Sequence, residues 1–180
     1  FTTGSLSNTQ AGLNTPIGLA LDTTNNRLFV GQSTGNRVTV FDVTPGTMAN
    51  GMSATHVLGQ PNFTTITSGI TQAKFSGVNG LAYDSTNSRL FVAEVGNHRV
   101  TVHDVSTGTI ANSQNASNVL GQSLFTTNAT GATQSGMSSP RGIAYDSTNN
   151  RLFVTESGNR RAKVYNVTPG SITDGQNALR

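Results

Sequence analysis

The sequence predicts an all-β protein built from one strand meander written three times. Three observations carry this. NNRLFV at residues 25–30 returns as NSRLFV at 87–92 and NNRLFV at 149–154, always 62 residues apart. Thr, Val, Ile, Phe and Tyr gather in short runs, which suits pleated strands, while Asn, Asp and Gly gather between them, which suits turns. Only 11% of residues are charged and the net charge is +3. A disordered chain of low apolar content usually carries a large net charge, so clustered apolar runs at this balance point to a packed core.

The elements follow in order. In the first unit a strand over 18–22 leads into the turn 23–26. A second strand spans 27–32, and a turn at 33–36 leads to a third over 37–43. A loop with Pro45 and Gly46 precedes a fourth strand over 55–60, and a polar linker, 61–79, opens the next unit. The match extends beyond one phrase: GLALD at Gly18 becomes GLAYD at Gly80 and GIAYD at Gly142, and FTT recurs at Phe1, Phe63 and Phe125. The units are 1–62, 63–124 and 125–180, forming a single segment. Consecutive strands joined by short turns pair antiparallel. Leu28, Phe29 and Val30 are apolar on both faces of the pleat, so each sheet needs cover on both sides. With no helical pattern present, the cover is other sheets. Four-stranded sheets at regular intervals predict a β-propeller. Leu13, Phe75 and Met137 supply one apolar anchor ahead of each first strand.

GNHRVTVHDV, from Gly96, with GLAYDSTNSRLFVAE before it, resembles the signature of NHL-repeat propellers. Asn97 and His98 match the first two letters of that name, and Arg99 stands in place of the leucine. VLGQPNFTT, from Val57, resembles the long-repeat bacterial type. The resemblance covers all three units and implies the fold. For activity it implies several possibilities, because the family includes binding modules, scaffolds and some lyases that hold a metal with channel histidines.

Propellers close with about four to eight blades, and the resemblance implies six. This chain encodes three, the last without its outer strand, so it reads as half of a six-bladed ring. Two open blade faces would expose Leu28, Phe29, Leu152, Phe153 or their neighbours. Either a homodimer completes the ring, or further repeats of a longer parent chain do. The start at Phe1 without Met, and without a signal-peptide pattern, reads as a processed or excised segment.

Candidate chemistry is sparse. Absence of cysteine excludes a disulfide framework or a thiolate zinc site. The turns DTTNN, DSTNS and DSTNN, from Asp22, Asp84 and Asp146, resemble half a calcium loop but lack its Gly and distal Glu. The same residues cap turns through their own backbone. His56, His98 and His103 share no metal spacing, and His103 stands where Phe41 and Tyr165 stand, which suggests packing. Glu94 and Glu156, with Gln32 in the matching place, are expected to pair with Arg99, Arg161 and Arg37. The bias of Arg141, Arg160, Arg161 and Lys163 is the one basic cluster. With two lysines and no Trp in the whole chain, it reads as a solvated rim, not a nucleic-acid face. No apolar run is long enough for a membrane-spanning helix. Asn-x-Ser/Thr sequons at Asn62, Asn115, Asn128 and Asn166 arise readily in such a composition, which also resembles that of bacterial exported and surface proteins.

The expected function is a non-enzymatic interaction or structural module without a cofactor, secreted or on the cell surface. Its rim loops would present Ile17, Asn79 and Arg141, equivalent positions at the channel mouth, to a protein or glycan. The competing classes are a metal-dependent lyase or hydrolase with a channel site, and an RNA-binding propeller.

Overall fold

The structure, a computed structural model, describes residues 6–180; the FTT copy at Phe1 lies outside them. Among the described residues eleven strands form three antiparallel sheets. The first contains β1 (Pro16–Asp22), β2 (Arg27–Gln32), β3 (Arg37–Asp42) and β4 (His56–Leu58). The second contains β5 (Val78–Asp84), β6 (Arg89–Glu94), β7 (Arg99–Asp104) and β8 (Asn118–Leu120). The third has β9 (Pro140–Asp146), β10 (Arg151–Glu156) and β11 (Arg161–Asn166). In each sheet spatial order follows chain order. No helix among the described residues is long and apolar enough to cross a membrane.

The turns explain this regularity. Asp84 Oδ1 accepts the backbone N–H groups of Thr86 and Asn87, while its Oδ2 accepts Asn87 Nδ2 and the Arg89 guanidinium. Asp22 makes the same set with Thr24, Asn25 and Arg27. Asn26, Ser88 and Asn150 then take left-handed φ of 49°, 50° and 51°, bringing the chain back antiparallel. These carboxylates are already saturated by donors, as in an Asx turn. The fourth strand is shorter than the expected 55–60 because Gly59 and Gly121 turn to φ 85° and 90°. A Cβ at Gly59 would meet the Phe75 ring at 2.2 Å, so the close approach also requires glycine.

The sheets stack face to face. The front of the first (Ala20, Phe29, Val38, Val40) packs on the back of the second (Leu81, Leu90, Val92, Val105). The front of the second (Ala82, Phe91, Val100, Val102) packs on the back of the third (Leu152, Val154, Tyr165, Val167). Phe75 and Met137, fully buried, plug these two seams as the expected anchors. The same geometry corrects the expected list of open-face residues. Phe29 and Leu152 lie inside the seams and are fully buried; Leu28 and Phe153, on the opposite side of the pleat, face outward. The third sheet has three strands. Leu179 N–H donates to Val164 O as Thr55 does to Val40 O and Ser117 to Val102 O, so the step into a fourth strand is in place at 179–180.

Candidate functional site

The first strands of the three sheets, β1, β5 and β9, stand side by side along one edge of the stack. Each is entered through a left-handed residue: Thr15 at φ 52°, Gly77 at 63° and Ser139 at 50°. Each then slips register against its neighbour, between Pro16 and Gly18, between Val78 and Leu81, and opposite the step from Val154 to Glu156. Such bulges redirect side chains at the rims of sheets. Ile17, Asn79 and Arg141 sit at these three slips. A Cβ at Gly18 would lie 2.1 Å from Asn79 O, and one at Gly80 would lie 2.3 Å from Arg141 O. The glycines therefore let the strands approach within backbone contact and bring the three positions into one row.

The row has a uniform backbone and varied chemistry. Ile17 is exposed, Asn79 half-buried and Arg141 exposed. Arg141 Nε donates to Ser157 Oγ at 2.9 Å, and that hydroxyl donates to Ser139 O, holding the guanidinium at the rim. Gly142 N–H donates to Thr155 Oγ1. The row sets an apolar side chain, an amide and a cation side by side along one strand edge.

A second row lies where the second strand of each sheet turns into the third. Glu94 and Arg99 are fully buried and paired at 2.9 Å. Asn97 Nδ2 and Thr101 Oγ1 also donate to the carboxylate. Burial pushes the Glu94 carboxyl up, opposed by these donors and the Arg99 charge. Arg99 spends its remaining donors on the carbonyls of Ile70, Thr71, Lys74 and Phe125. Glu156 and Arg161 repeat the pair, and Arg161 grips the carbonyls of Ala132, Thr133 and Gly136. In the first sheet neutral Gln32 takes the carboxylate's place beside Arg37, with Thr39 accepting from its amide. These residues clamp the linkers to the sheets, and the carboxylates are fully occupied.

The remaining candidates separate. His103 is fully buried, edge-on to Phe75 at 5.3 Å, with Nδ1 unpartnered and Nε2 against Thr101 Oγ1. Burial, aided by the Arg99 charge, pulls its pKa to about 3. Among the described residues no three His, Asp or Glu side chains come together as a metal site. The basic cluster disperses: Lys163 turns inward onto the carbonyls of Thr133, Gln134 and Gly136, and burial lowers its pKa to about 8. Arg141 and Arg160 remain exposed.

Sequence reasoning missed the locks between sheets. Asn36 Oδ1 accepts Gly77 N–H, and His98 Nδ1 accepts Ser139 N–H at 3.0 Å. Asn112 and Asp174 accept Val57 and Val119 N–H in the same way. Equivalence at 62-residue spacing was the available signal, since each lock recurs one unit later.

No protein-family model matches the chain, and no curated protein matches it. Solved structures do match, one of them hydrazine synthase of Kuenenia stuttgartiensis. The TM-score is 0.59 at 14% identity, covering 99% of this chain and 38% of that one. The fold is propeller-like. This chain spans 38% of that neighbour's length, and likeness at such identity bears on architecture alone.

Proposed function

We propose that the chain is a non-enzymatic interaction module, an NHL-type propeller scaffold whose rim presents Ile17, Asn79 and Arg141 to a protein or glycan. The observation that supports this is the row itself. Three equivalent positions share one backbone geometry, set by left-handed entry residues and close-approach glycines, yet carry different side chains. Rigid strands fix the spacing while the side chains vary, the usual division of labour in recognition surfaces. The Thr- and Asn-rich, lysine-poor composition supports a place at the cell surface or outside the cell.

The test applies labelled protein to glycan and peptide arrays and titrates each hit against Asn79→Ala/Arg141→Ala. The expected result is at least one hit whose affinity falls about tenfold or more in the double variant, as loss of a hydrogen-bonded charged contact does. Hits with unchanged affinity, or blank arrays, would refute the proposal.

A further inference from the structure

We propose that a second copy of this chain closes the propeller, the front of its third sheet packing on the back of the first sheet, and the reverse, around a two-fold axis. This rests on the propeller reading above. Three observations carry it.

The first is the pair of uncovered faces. On the back of the first sheet Leu19 is 64% exposed, whereas its equivalent Leu81 is 7% exposed. Leu21 and Met48 are exposed beside it, while their equivalents Tyr83 and Ile110 pack into a seam. An apolar groove of about 560 Å³ opens there between Leu28, Phe41, Val43 and Met48. On the front of the third sheet Phe153 is 42% exposed, whereas Phe29 and Phe91 are fully buried. Apolar faces of this kind mark association surfaces.

The second is register. Phe29 stacks on Tyr83 at 5.6 Å and Phe91 on Tyr145 at 5.7 Å. Both seams therefore join a second-strand phenylalanine on the front face to the first-strand tyrosine of the next unit, at the same offset. Carried one unit further, Phe153 meets the partner's Leu21, an apolar residue exposed for that contact. Across the second seam Arg89 Nη2 also donates to Val167 O.

The third is Gly142. At Gly18 and Gly80 glycine is required because the next strand's carbonyl lies against it. At Gly142 a Cβ would meet only Thr155 Oγ1 among the described residues, at 3.0 Å. In the proposed dimer a next strand runs there, with the partner's Ile17 carbonyl against Gly142. Asn79 and Arg141 would thereby join the partner's Ile17 in one continuous mouth.

One lock is not repeated, since Arg160 stands where Asn36 and His98 accept a backbone N–H; the partner's Thr15 N–H is left to water.

The experiment measures the mass of the 180-residue chain by light scattering over a dilution series, with Leu21→Lys and Phe153→Glu alone and mixed. The expected wild-type mass is twice 18.7 kDa. Each variant alone should dissociate roughly thirtyfold or more readily, the loss typical of a central contact. Mixed, they should regain the dimer, with one seam pairing Lys with Glu and the other of wild-type residues. A folded wild-type monomer, an open polymer, or failure of the mixed pair to reassociate would overturn the proposal. Phe91→Glu, in the internal seam, separates the underlying reading: it should unfold the chain by circular dichroism. If it stays folded, the stacked-sheet propeller itself fails, whatever the mass.

Discussion

Replacing Arg99 tests whether the buried pairs clamp the linkers. Arg99→Gln leaves Glu94 buried without its cation and abandons the carbonyls of Ile70, Thr71, Lys74 and Phe125. Breaking a buried pair by removing one partner costs about 3–5 kcal/mol. Glu94→Gln should cost less, about 1–3 kcal/mol, because Arg99 keeps its carbonyls while Asn97 Nδ2 loses its charged acceptor. The first sheet contains the compensated form: Gln32 occurs with Gly35 where Glu94 occurs with Asn97, so no amide opposes the Gln32 amide. Glu94→Gln/Asn97→Gly should therefore be more stable than Glu94→Gln by roughly 0.5–1 kcal/mol, a non-additive coupling between touching residues. The assay is urea unfolding followed by far-ultraviolet circular dichroism, at one protein concentration for all variants. If Arg99→Gln cost no more than Glu94→Gln, or if Asn97→Gly added to the loss, the clamp as described would be wrong.

Two further predictions follow from buried groups and close contacts. His103 is held at about 3 against an ordinary 6.5; the unfolded chain takes the proton first, so stability falls as pH drops from about 6.5 to about 3 and levels off below. The full loss is up to roughly 5 kcal/mol, and His103→Phe, matching Phe41, should flatten that part of a stability profile measured against pH; an unchanged slope would refute this. Gly80→Ala places a Cβ 2.3 Å from Arg141 O and 3.0 Å from Ile143 N, and should cost about 1–3 kcal/mol in the same urea assay, with an unchanged midpoint as the contrary result.

The strands, their turns and the repeat were legible in the sequence because they are local. An Asp, two Asn-rich positions and an Arg within six residues make a turn wherever they occur, and the unbroken apolar run LFV marks cover on both faces. The pairing of Glu94 with Arg99 was legible for the same reason, since they occupy opposed ends of adjacent strands. The destinations of the other donors were not. Arg99 reaches carbonyls 25 to 29 residues away, and His98 reaches Ser139 N–H 41 residues away. Backbone carbonyls and N–H groups are the same in every residue, so no letter announces them.

The sequence by itself thus determined the all-β meander, its three copies and the candidates for the rim, because strand period, turn chemistry and duplication are written residue by residue. Only the tertiary structure decided which side of each pleat faces a neighbour. It buried Phe29 and Leu152 while leaving Leu19 and Phe153 in water, turned Lys163 inward, and set Ile17, Asn79 and Arg141 in one row. Those outcomes depend on the order in which whole sheets stack, and stacking is fixed by contacts between units that lie 62 residues apart.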